Sequence, residues 1–254
     1  MSAPSLQQAP IIHVQNLKNI LGGRVVHEDV SFSVRPGEIV AIIGGSGCGK
    51  TTLLRSILGL LKPTSGLLEV FGTNILTANE ALFLAIQKRW GVMFQSGALF
   101  SALTVLQNIL YLLEVYSGLS HANQVELAKI KIALSGLAPE VAYRYPSELS
   151  GGMRKRAALA RAIALDPELI FLDEPTAGLD PKSASGLDQL VLEMRKNLGL
   201  TFVMVTHDLD TLATVPDRII FLGEGRVLFD GSWLELKKNP HPLIRQYFSG
   251  DRAR

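Results

Sequence analysis

The chain has a single cysteine, Cys48, so it can form no intramolecular disulfide, and a reducing compartment suits it. It also lacks an excess of either charge, with 25 Lys and Arg against 23 Asp and Glu for a net +2. A general nucleic-acid binder concentrates basic residues in a stripe. The densest basic run here is Arg154-Lys155-Arg156, which reads as a solvated helix face, and no nucleic-acid partner is expected. No stretch supplies the roughly 20 predominantly apolar residues of a bilayer span. The nearest, 98–115, is interrupted by Ser101, Thr104, Gln107, Asn108 and Glu114. Its Val105, Leu106, Ile109, Leu110, Leu112 and Leu113 follow helical spacing and read as a packed helix, so a membrane role comes through a partner. The opening MSAPSLQQAP has no basic region followed by an apolar stretch, hence no secretory signal. Residues 1–10 and 249–254 read as flexible tails. Sustained heptads, internal repeats and low-complexity segments are absent.

What is present is core material: 254 residues, 47% hydrophobic and 19% charged, enough for one large domain. Strands are predicted at 11–18 and 25–34, with the Arg35-Pro36-Gly37-Glu38 turn after them, then at 39–43, 67–70 and 91–94. Helices are predicted at 51–60 and 79–89, with an almost wholly helical stretch from 104 to about 137. A loop at 143–149 precedes a helix at 154–165. Beyond it strands at 169–172, 201–205, 219–222 and 227–229 alternate with helices at 182–197, 208–214 and 232–239. Alternation of this kind implies an α/β core with a mainly parallel sheet.

Gly44-Gly45-Ser46-Gly47-Cys48-Gly49-Lys50-Thr51, between a buried-type strand and a helix, matches the phosphate-loop pattern in full. Its glycines let backbone N–H groups converge on phosphate oxygens. Lys50 offers a point charge to the β/γ-phosphates, the Thr51 hydroxyl can ligate Mg²⁺, Thr52 extends the cradle, and the helix start adds its positive dipole end. The apolar strand 169–172 then delivers Asp173 and Glu174 at its carboxyl end, where α/β folds bind ligands. Alone, two such acids are more often a helix-capping pair; beside a phosphate loop, Asp173 reads as the Mg²⁺ carboxylate and Glu174 as the general base. His207 follows another apolar strand, where it can reach a γ-phosphate oxygen. Gln95 can ligate Mg²⁺ or orient the attacking water. Ser150 before Gly151 and Gly152 is a helix N-cap, and the two glycines also expose donors to an anion. With one phosphate loop already in the chain, a second anion site calls for the nucleotide of a second copy.

This series resembles the ATP-binding cassette (ABC) ATPases over nearly the whole chain. The resemblance implies a P-loop α/β fold with a mainly parallel core sheet, an antiparallel β subdomain and an inserted helical subdomain. The domain would run over 11–247, with the helical part at about 98–165. It implies a phosphate loop at Gly44–Thr51, a glutamine loop at Gln95, a signature at Leu149-Ser150-Gly151-Gly152, and a switch histidine at His207. Asp180, in Ala177-Gly178-Leu179-Asp180, would signal across the interface of a homodimer that sandwiches two ATP molecules with Mg²⁺. The family usually stacks adenine on an aromatic of the first strands. That place falls near Asn19, and 11–27 holds no Phe, Tyr or Trp.

A narrower resemblance rests on Phe94-Gln95-Ser96-Gly97-Ala98-Leu99-Phe100, on Met153 after the signature glycines, and on the run from Arg156 to Ala164. These look like the ATPases of MCE-domain phospholipid transporters of Gram-negative envelopes. That likeness implies a MlaE-like permease, an MCE-domain lipid-binding protein, often a STAS-domain subunit, and a place on the cytoplasmic face of the inner membrane. A small-solute importer ATPase is the near alternative. A cassette acting on ribosomes or DNA is the distant one, because such chains usually carry two cassettes or long coiled coils.

Overall fold

The computed structural model describes residues 9–249; of the tails expected at 1–10 and 249–254, 1–8 and 250–254 lie outside the described residues, and Ser249 instead ends the last helix. In chain order the elements are β1 (Ile12–Leu21), β2 (Arg24–Val34), β3 (Ile39–Gly44), α1 (Lys50–Ile57), β4 (Ser65–Val70), β5 (Thr73–Asn74), α2 (Glu80–Gln87) and β6 (Trp90–Met93). They continue with α3 (Val105–Tyr116), α4 (His121–Leu134), α5 (Gly151–Ala162), β7 (Leu169–Asp173), α6 (Pro181–Leu198) and β8 (Thr201–Val205). The last are α7 (Leu209–Thr214), β9 (Arg218–Gly223), β10 (Arg226–Gly231), α8 (Trp233–Lys238) and α9 (Pro242–Ser249).

The strands order as β5-β4-β1-β2-β10-β9-β3-β8-β7-β6. Five neighbours, β9 to β6, are parallel, while β1, β2, β4 and β5 pair antiparallel. The parallel strands are apolar on both faces, as a doubly covered sheet requires. Period-two alternation sends Val40, Ile42, Phe171, Val203 and Val205 to one face, where Leu53, Leu54 and Ile57 of α1 pack. Ile39, Ala41, Ile43, Ile170, Leu172, Phe202 and Met204 face the other way, onto Leu159 of α5 and Leu187, Val191 and Met194 of α6. A third cluster joins α3, α4 and α5 through Val105, Ile109, Leu113, Ala128, Ile132, Ala157 and Ala160. This is the α/β class with the antiparallel strands and the helices between β6 and β7 that the sequence implies.

Four local features depart from the sequence reading. The helical stretch from 104 breaks at Ser117-Gly118-Leu119-Ser120, where Gly118 turns with φ +66° and Ser120 caps α4 by accepting from Asn123 N–H. Helix α5 begins on the signature glycines rather than at 154, because the Ser150 hydroxyl accepts the Met153 N–H and offsets the glycines' poor propensity. Helix α9 was not anticipated; it buries Ile244 and sets Tyr247 edge-on to Phe221, with ring centroids 5.5 Å apart. Of the Arg154-Lys155-Arg156 run, expected as a solvated face, only Arg154 is exposed. Lys155 is buried and Arg156 donates to the Ser135 and Gly186 carbonyls. Small Ala157, Ala158 and Ala160 let α5 sink into the molecule, and the cations find backbone acceptors there.

Two predictions follow from this packing. Gly91 in β6 lies so close to α5 that a Cβ would stand 2.0 Å from the Ala162 carbonyl oxygen. Gly91→Ala should therefore cost about 2–3 kcal/mol in urea unfolding, since backbone must shift to admit it. On α6, burial raises the Asp188 carboxyl to about 6, with Asp208 and Asp210 adding to the rise against the Thr211 hydroxyl it accepts from. The folded protein then binds more protons than the unfolded chain between 3.8 and about 6, so this group's contribution to stability is full below that window and lost as pH rises through it. Asp188→Asn should match the wild-type melting temperature in acid and exceed it at neutral pH.

Candidate nucleotide site

The carboxyl ends of β3, β6, β7 and β8 open into one cleft of about 890 Å³. It is lined by Gly44, Gly45, Ser46, Gly47, Cys48, Lys50 and Thr51 after β3, Gln95 after β6, Asp173 and Glu174 after β7, and His207 after β8. A second cleft of about 500 Å³ adjoins it on the β2 side, where Gly49 and Thr52 join Arg24, Val25 and Val26. Every expected phosphate-loop residue thus faces one of the two. Leu243, Gln246 and Tyr247 of α9 complete the first cleft's wall, a contribution with no sequence signal.

The loop is held from below and within. Lys50 Nζ donates to the Gly44 and Gly45 carbonyls at 2.8 and 3.1 Å, which centres its charge in the loop's concavity. Gly49 has φ +101°, and a Cβ there would meet His27 Nε2 at 2.3 Å, so the position must be glycine. His27 is buried, and burial lowers its pKa and so favours the neutral ring, partly offset by the Gly49 backbone. Asn19 Nδ2 lies 3.0 Å from His27 Nδ1 and donates to Ser56 Oγ at 3.2 Å. Asn19 thus turns inward to brace the phosphate loop, while Arg24 and Val25 face the adjoining cleft.

Glu174 carries the most constraint. Its φ is +48°, in the left-handed region that a non-glycine residue enters at a cost. Its N–H donates to the Val205 carbonyl at 2.8 Å, and its carboxylate lies 2.8–2.9 Å from His207 Nδ1. Read separately in the sequence, the two residues form a pair. Burial, and then the Glu174 charge, raise the Asp173 carboxyl, while Lys155 and Arg55 pull it down. Among the described residues no cluster of three or more His, Cys, Asp or Glu forms a metal site. A hydroxyl, a carboxylate and an amide oxygen from Thr51, Asp173 and Gln95 do fit a hard cation shared with phosphate oxygens. The crowded carboxylates Asp173 and Glu174 also favour positive charge there.

The remaining expected residues lie elsewhere. Neither Gly151 nor Gly152 lines the cleft; a Cβ on Gly151 would meet Leu179 and one on Gly152 would meet Ser183. Asp180 caps α6 by accepting from the Ser183 N–H at 3.0 Å, and the Ser183 bonds hold its carboxyl below the usual value. What sequence reasoning missed is Lys155, whose Nζ donates to the carbonyls of Gln95 and Glu174 at 2.7 and 2.8 Å. Its only signal was the alanine-rich helix around it.

The ABC transporter family model matches residues 27–177. The chain is 38% identical over 242 residues to the intermembrane phospholipid transport system ATP-binding protein MlaF of Escherichia coli K12, spanning 95% of this chain and 90% of that protein. It is 35% identical over 241 residues to the probable ribonucleotide transport ATP-binding protein mkl of Mycobacterium tuberculosis H37Rv, spanning 95% of this chain and 67% of that one. Among solved structures, a dimeric post-hydrolysis state of an ATP-binding cassette bound to ADP and Pi matches with a TM-score of 0.79 at 31% identity, over 87% of this chain and 98% of that one. The chain belongs to the ABC transporter family: it is an ABC-type ATPase, the ATP-binding subunit of a transporter. Cassettes of this family dimerise and pair with membrane permeases.

Glu174→Gln keeps the side chain's size and its contact with His207 while removing the carboxylate's basicity. It should bind ATP, fall at least about 100-fold in turnover and elute as an ATP-dependent dimer on gel filtration. Turnover at the wild-type rate removes Glu174 from the role of base.

Proposed function

We propose that the chain is the ATP-hydrolysing subunit of an inner-membrane transporter that moves phospholipids between the inner and outer membranes and so maintains outer-membrane lipid asymmetry. It works as a homodimer on the cytoplasmic face, docked on a MlaE-like permease, with an MCE-domain lipid-binding protein and a STAS-domain subunit in the same assembly. The 38% identity to MlaF over 95% of the chain supports the substrate. No helix among the described residues is long and apolar enough to cross a membrane, so the permease supplies the membrane path.

One separation carries the mechanism. The cleft gathers Lys50, Thr51, Gln95, Asp173, Glu174 and His207 but leaves Ser150, Gly151 and Gly152 outside it. The second anion site then serves a nucleotide held by the other copy. In this reading the phosphate loop and Lys50 hold the β/γ-phosphates, and Ser150, Gly151 and Gly152 of the partner copy cover the γ-phosphate. Mg²⁺, held by Thr51, Asp173 and Gln95, would neutralise charge on the phosphates when bound. Glu174 takes the proton of the attacking water, and His207, held at Nδ1 against the Glu174 carboxylate, steadies the transition state. Asp180 reports occupancy across the interface.

The helices between β6 and β7 present an uncovered aromatic pair. Phe100 and Tyr111 are each 48% exposed and stack edge to face at 5.3 Å, with Val115 and Tyr116 exposed nearby. Apolar surface of this kind, reached directly from Gln95, suits a cytoplasmic helix of the permease. Phe100→Asp with Tyr111→Asp should lose the permease on affinity purification yet bind MgADP within about twofold of wild type, because neither residue lines the cleft. In vesicles containing the native complex, ATP should accelerate transfer of labelled phospholipid, and Glu174→Gln should stop it. A small solute is the second reading, favoured by the 35% identity to mkl. ATP-driven solute uptake without phospholipid transfer would select it.

A further inference from the structure

Lys155 is 7% exposed, and both of its hydrogen bonds go to backbone carbonyls, of Gln95 and of Glu174. Asp173 and Glu174 reach it only through space. Burying an ammonium is expensive, and a methionine would fill the same space at lower cost. Here the cation joins three parts of the machinery. Its own helix, α5, starts at the signature residues Ser150, Gly151 and Gly152. One acceptor begins the segment that runs from Gln95 toward α3. The other is the carbonyl of Glu174, whose N–H is already fixed to β8 and whose φ is +48°. Farther along α5, Arg161 donates to the Gly97 and Ala98 carbonyls, so the helix grips the segment after Gln95 at a second place.

We propose that Lys155 is the positioning residue that transmits the place of the signature helix to the general base: its ammonium holds the Glu174 main chain in its left-handed conformation and ties it to the glutamine loop. The inference rests on the head-to-tail dimer reading. In that dimer a chain's signature serves one nucleotide and its Glu174 the other. A displacement of α5 on closing over the partner's nucleotide is therefore felt at the chain's own Glu174, within the length of one lysine side chain. The two sites are coupled through each subunit as well as across the interface.

The test compares Lys155→Met, Lys155→Arg and Glu174→Gln in the complete transporter complex, with MgADP affinity measured on the chain. Lys155→Met keeps the volume and loses both donors. Its kcat should fall at least about tenfold, with KM and MgADP affinity within about threefold of wild type and the Hill coefficient for ATP reduced toward one. Lys155→Arg keeps a cation with several donors and should retain most of the turnover. Should the Met variant not fold, Lys155→Leu replaces it, since it is apolar and offers neither carbonyl a donor, and the same loss is expected. Wild-type kcat and Hill coefficient in Lys155→Met overturn the inference, as does an equal fall in Met and Arg variants tracking a lowered melting temperature. Turnover surviving in Glu174→Gln overturns instead the reading of the site on which the inference rests.

Discussion

The position of every group at the cleft depends on strand β3 being buried on both faces between β8 and β9. Ile39 to Ile43 leave no side chain for solvent, so the strand cannot slide or twist without exposing one face or the other. The glycine loop that leaves it therefore starts from a fixed point, with Gly44 paired to Leu222 of β9. Because β6, β7 and β8 run parallel to β3, their carboxyl ends emerge beside the same point. Gln95, Asp173 and His207 owe their proximity to strand direction more than to any attraction among them.

Charge is the second organising fact. Two adjacent carboxylates, Asp173 and Glu174, stand at the end of one strand, partly withdrawn from water. Lys155 from below and Arg55 from α1 offset part of that repulsion. What remains suits a cation and a polyphosphate bound together, each reducing the other's cost. The backbone at Glu174 is strained, and it persists because three neighbours hold it: the Val205 carbonyl, His207 and Lys155. Stiffness there suits the base proposed at Glu174, and the tie to α5 is the route by which the proposed dimer would reach it.

Much of this was legible in the chain. Apolar runs at 39–43, 169–172 and 201–205 named the buried strands, and the glycine spacing from Gly44 to Lys50 named the phosphate loop, because both depend on local residue types. The signature was recognisable as a capped, glycine-started helix, although glycine's low propensity pushed the expected start to 154. Lys155 was misread because a basic triplet ordinarily faces water, and only the depth at which α5 packs reverses that. Asn19 and His27 were illegible for a related reason: two polar residues on neighbouring strands form a buried brace only once register sets them over Ser56 and Gly49. Helix α9 lacked a strong start signal and is stabilised by tertiary packing on Phe221.

The most direct test of the account is gentle detergent extraction of the chain from its native membranes, with mass spectrometry of the proteins and lipids that come with it. The account predicts two copies of the chain with an integral permease, an MCE-domain subunit and bound phospholipid. Recovery with ribosomes or DNA-repair proteins, and with no membrane partner, would contradict it.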